Sequence, residues 1–101
     1  MSVLVITTVQ ADVGVFEKVF AQNADMARSI SEQARSKGAE RHLFADDGKG
    51  NLLIVDVWDS RESFDDFFGS QPDIGRLMQE VGVTTQPATV SYRVLDTVDA
   101  F

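Results

Sequence analysis

Two stretches of the chain are apolar at nearly every position instead of at every second one: Val3–Ile6, and Leu52–Val57 leading into Trp58. A short continuous apolar run fits a strand covered on both faces, whereas a strand with one wet face alternates. Between them the period changes. Phe16, Phe20, Asn23, Ala27, Ile30 and Ala34 trace one stripe, widened by Val19, Ala24 and Met26. The spacing predicts one long helix from about Val13 to Lys37, with Asp12 as N-cap and Gly38 just past its end. Glu40–Ala45 reads as a partly alternating strand, and the polar Asp46–Asn51 stretch as a hairpin loop.

Beyond Trp58, Asp59 and Ser60 stop the strand, and Asp59 with Glu62 has the spacing of a capping box. Phe64, Phe67 and Phe68 then follow at helical spacing. Pro72 suits the first turn of a further helix, Ile74, Leu77, Met78 and Val81 form its apolar side, and Gly82 ends it. A last strand over about Ala88–Leu95 alternates Val90, Tyr92 and Val94 against Ser91 and Arg93. The order β-α-β-β-α(α)-β, joined by right-handed crossovers, predicts an α+β fold: a ferredoxin-like four-stranded antiparallel sheet with the first and third strands central. Helices can cover only one face of that sheet. The other apolar face marks an interaction surface, and a homodimer with sheets packed face to face is expected.

Composition narrows the functional classes. The 101 residues make one domain, 1–101, of ordinary soluble character. A net charge of −7, with nine scattered basic residues, argues against nucleic acid or an anionic membrane as partner. Cysteine is absent, which removes thiol chemistry, disulfides and Cys-ligated metal. The N-terminus has neither the basic region nor the cleavage site of a signal peptide, so a cytoplasmic location is expected.

The run of strand, Val57-Trp-Asp-Ser60, then Phe64 on a helix, preceded by a hairpin and a long first helix, resembles the antibiotic biosynthesis monooxygenase (ABM) superfamily. The resemblance in element order extends over almost the whole chain. It implies a dimeric α+β barrel in which small members oxidise polycyclic phenols with oxygen and no cofactor, while others degrade haem. It also implies that Trp58 lines a pocket between sheet and helices. The match is partial at the chemical positions. Ile54 stands where quinone-forming members have an Asn, and Phe64 where they have a tyrosine. Thr7 and Thr8 replace the first-strand Asn of haem-degrading members, and no helix carries a histidine. These departures weigh against both chemistries.

The candidate residues follow from side-chain chemistry. Trp58 offers a stacking face and one N–H donor, or it plugs the end of the core. His42, the only histidine, is the one side chain of a type that titrates near neutrality; it is either a base for a phenolic substrate or a surface or interface residue. Tyr92 is expected to point toward the helix side, as a hydrogen-bonding pocket residue or as core. Phe64, Phe67, Phe68, Met26 and Met78 line an apolar cavity or form plain core. Asp46-Asp47 and Asp65-Asp66 lack metal-ligand spacing and read as solvated acidic faces, so no metal site is expected. No Gly-rich phosphate loop follows a strand, so no nucleotide cofactor is expected. Two functions remain open. One is a cofactor-independent monooxygenase-like protein binding a small hydrophobic aromatic molecule, with Trp58 and His42 at the chemistry. The other is a non-catalytic binding or structural homodimer, which a cavity too small for a two-ring ligand would favour.

Overall fold

The computed structural model describes all residues, 1–101. Strand β1 (Val3–Gln10) leads into helices α1 (Val13–Gln22) and α2 (Ala24–Ser36). The hairpin β2 (Ala39–Asp46) and β3 (Asn51–Trp58) follows, then α3 (Arg61–Gly69), α4 (Pro72–Val81) and β4 (Ala88–Arg93). The sheet order is β2-β3-β1-β4, every neighbouring pair antiparallel, so the two doubly apolar strands are central. No helix is long and apolar enough to cross a membrane.

Strand alternation sorts the side chains. Val5, Thr7 and Val9 of β1 and Leu52, Ile54, Asp56 and Trp58 of β3 are buried beneath the helices. The intervening Leu4, Ile6, Leu53, Val55 and Val57 lie on the opposite face and are only half-buried. That open face extends to the edges through Leu43, Val90 and Tyr92, all exposed. Under the helices the core falls into two clusters. Val9, Phe16, Val19, Leu52, Ile54, Leu77 and Val81 form one; Val5, Ala34, Trp58, Phe64 and Phe67 form the other.

The single long helix is in fact two. Asn23 leaves helical geometry at φ −117°, ψ 34°, and its side-chain amide donates to the Val19 carbonyl at 2.9 Å and to Glu80 Oε2 at 3.0 Å. The amide thus joins the Asn23 N–H on the carbonyl one turn earlier, and the chain turns at Asn23 between α1 and α2. The cap of α3 also differs from the capping-box expectation. Ser60 Oγ accepts from the Ser63 N–H at 3.0 Å, and Asp59 instead packs against Gly38. Gly38 has φ +120°, and a Cβ there would lie 2.6 Å from the Asp59 carboxylate, so both conformation and space require glycine. Asp12 caps α1 through the Val15 N–H, and Gly82 ends α4 at φ +92°.

In the β2–β3 loop the acidic pair caps backbone. Asp46 accepts from the Gly48 N–H, and Asp47 from the N–H groups of Lys49 and Asn51 and from the Asn51 amide. The Asn51 amide and these backbone donors hold the Asp47 carboxyl below its ordinary range.

Candidate functional site: a carboxylate-backed histidine at an apolar cavity

At the seam between the two core clusters lies a cavity of about 60 Å³, walled by 16 residues of which 13 are hydrophobic. Its floor is Ile54, Asp56 and Trp58 of β3 with His42 and Phe44 of β2. The helices supply Phe20 of α1, Ile30 of α2, Phe67 and Phe68 of α3, and Ile74, Leu77 and Met78 of α4. Room exists because three of the four side chains that α2 brings to the wall are small: Ala27, Ser31 and Ala34, beside Ile30.

The register assembles the polar part. His42 pairs with Asp56 across β2 and β3, and Asp56 and Trp58 are two residues apart on one strand, so all three share the helix-side face. Asp56 is 4% exposed and accepts twice. His42 Nδ1 lies 2.7 Å from Oδ1, and Trp58 Nε1 donates to Oδ2 at 3.2 Å. With Asp56 as a carboxylate, which can only accept, and His42 neutral, the proton of their bond sits on Nδ1. Nε2 then keeps its lone pair and has no partner in the protein. The His42 side chain is 36% exposed and stands where cavity meets solvent, its ring edge-on to Phe44 at 4.9 Å. A carboxylate fixing the tautomer of an imidazole is the arrangement that readies a histidine to take a proton.

Trp58, Phe67, Phe68, Met78 and His42 thus lie on the cavity wall, but three other sequence candidates do not. Phe64 is buried behind Trp58, edge-on at a centroid distance of 5.9 Å. Met26 is partly buried against the first core cluster and does not reach the cavity wall. Tyr92 pairs with Leu4, not Val5, so it stands on the open face at 56% exposure; Arg93, Ser91 and Thr89 take the helix side. Trp58 also differs from expectation in its donor, since the indole N–H is committed to Asp56 and is not free to orient a ligand. Asp56 and Ser31 were not singled out by the sequence reading. The signal for Asp56 was present, a lone acid inside an apolar strand, in phase with Trp58.

Solved structures share this architecture. SnoaB from Streptomyces nogalater, a cofactor-independent oxygenase, superimposes with a TM-score of 0.63 at 17% identity over 98% of each chain. Rv0793 from Mycobacterium tuberculosis gives 0.60 at 17% identity, covering 98% of this chain and all of that one. A candidate antibiotic biosynthesis monooxygenase from Caulobacter crescentus gives 0.68 at 15%, over 94% of this chain and 91% of its own. The chain has the ABM fold. No family model and no curated protein matches the sequence. At these identities the likeness is one of ABM architecture, and the chemistry of the site has to be argued from its own residues.

Replacing Asp56 by Ala leaves the buried Trp58 N–H without an acceptor, an expected loss of about 1–3 kcal/mol. His42→Gln, at a half-exposed site, should cost less than Asp56→Ala. Urea denaturation of both variants checks this, and wild-type stability for Asp56→Ala would contradict the bridging role of the carboxylate.

Proposed function

We propose that the chain binds a small phenolic molecule in this cavity and, with His42 as base, promotes its cofactor-free oxidation by oxygen. The observation that carries the reading is the His42–Asp56–Trp58 array at the edge of an otherwise apolar wall. A phenol donates its proton to Nε2, and the phenolate then transfers electrons to oxygen. One oxygen atom joins the ring as a second carbonyl and the other leaves as water, so that phenol plus O₂ gives quinone plus water. The four electrons come from the ring. The protein's share is to deprotonate, to orient and to exclude water.

Size limits the substrate. A cavity of 60 Å³ is less than half the ~150 Å³ of an engineered apolar cavity that takes up benzene. A single ring therefore enters only if Phe68 and Met78 move aside or if it stays partly in the mouth, and polycyclic phenols are disfavoured. The same volume favours the second reading, a non-catalytic binding protein whose aromatic side chains fill most of its own pocket.

Oxygen consumption with single-ring phenols separates the two. Catalysis predicts saturable uptake above the protein-free rate, lowered about 100- to 10,000-fold by His42→Gln. Uptake identical with and without protein, together with saturable quenching of Trp58 emission, would establish the non-catalytic reading instead.

The assembly we propose is a homodimer through the open sheet face. Support comes from the contiguous Leu4, Ile6, Leu53, Val55, Val57, Leu43, Val90 and Tyr92 surface, an apolar patch of the kind that closes a two-fold interface. Light scattering should give twice the 11.1 kDa chain mass. A mass of one chain at micromolar concentration would contradict it.

A further inference from the structure

The cavity wall contains only three polar residues, Asp56, His42 and Ser31. Both carboxylate oxygens of Asp56 are occupied, one by His42 and one by Trp58, and the Nδ1 of His42 is occupied by Asp56. Two polar atoms are left for a ligand: Nε2 of His42 on the sheet side, and Oγ of Ser31 on the helix side. Ser31 is half-buried, and its hydroxyl, which bonds no protein group, is reached by solvent, since no buried polar side-chain atom lacks a partner. A helical serine commonly turns its hydroxyl back to the carbonyl one turn earlier, which is not the case here. It sits between Ala27 and Ala34, the small side chains that leave the gap between α2 and β2. Larger residues at those three positions would close the space.

We infer that Ser31 is a specificity-determining residue of the pocket, the second polar anchor that selects single-ring ligands bearing two oxygen substituents. The inference rests on the phenol-binding reading above and deepens it. One hydroxyl of such a ligand gives its proton to Nε2 of His42, and the second exchanges a hydrogen bond with Ser31 Oγ across the ring. A monohydroxylated ring satisfies only His42 and leaves Ser31 facing apolar carbon. A purely apolar ring satisfies neither. An unmade hydrogen bond at a half-enclosed site is felt as lost affinity, so discrimination between one and two oxygens is built into the two walls.

The test is a titration of Trp58 emission with phenol, catechol, resorcinol and hydroquinone, using wild type, Ser31→Ala and Ser31→Thr. Alanine is smaller than serine and favours helix, so folding is preserved. In wild type at least one dihydroxybenzene should bind about fivefold tighter than phenol. Ser31→Ala should erase that gap while leaving phenol affinity within about twofold, and Ser31→Thr, which keeps the hydroxyl, should retain it. Phenol binding with no preference for any dihydroxybenzene, or a preference that survives in Ser31→Ala, overturns the assignment of Ser31 alone. Failure of all four compounds to bind wild type overturns it together with the phenol-binding reading.

Discussion

The carboxylate of Asp56 is the constraint to which the centre of the molecule answers. It lies in the middle of a central strand, nearly free of solvent, between Ile54 and Trp58 on a face otherwise built of hydrocarbon. A buried acid in such a place is costly unless its oxygens are satisfied, and here two donors converge on them. Each donor is thereby fixed as well. The indole of Trp58 is held flat in the sheet–helix core, where it meets Phe64 and Phe67. The imidazole of His42 is held with Nδ1 inward. What the sheet gains is a single basic nitrogen, oriented and partly exposed, beside an apolar hollow.

The hollow is a consequence of helix sequence as much as of the sheet. Beside Ile30, α2 brings only alanine and serine to the cavity wall, where a leucine stripe would have closed the gap. The aromatic residues of α3 then form the opposite wall. The polar array thus comes from the strands and most of the cavity's shape from the helices, within an architecture shared at 15–17% identity. Ile54 and Phe64 carry no hydrogen-bonding side-chain group, and the polar residues of the cavity wall are His42 and Asp56 on the hairpin and Ser31 on α2.

Much of the fold was legible because β1 and β3 are apolar on both faces, which places them at the centre of a sheet, and because Gly38, Gly82 and Pro72 mark helix ends. Three features escaped for physical reasons. Asn23 lies on the apolar stripe, and periodicity does not register a side chain that bonds the backbone carbonyl of Val19. The cap of α3 is one residue later than the capping-box spacing suggests, because Asp59 is held against Gly38. Tyr92 was assigned to the wrong face because apolar residues of an edge strand normally point at the core. When both sheet faces are apolar that rule fails, and only the pairing of Leu4 with Tyr92 decides. At the site, Trp58 and His42 were visible as residue types. Their link through Asp56 depends on the β2–β3 register and on the irregularity between Ala39 and Arg41, neither of which composition reveals.

The central claim is that Asp56 holds the proton of His42 on Nδ1 and leaves Nε2 free. Because the chain has one histidine, long-range nitrogen–proton NMR of uniformly labelled protein at alkaline pH gives a single imidazole pattern. The expected result is one protonated nitrogen, Nδ1, with Nε2 at the chemical shift of an unprotonated ring nitrogen, and loss of that preference in Asp56→Ala. A proton on Nε2, or equal averaging of both nitrogens in the wild type, would contradict it.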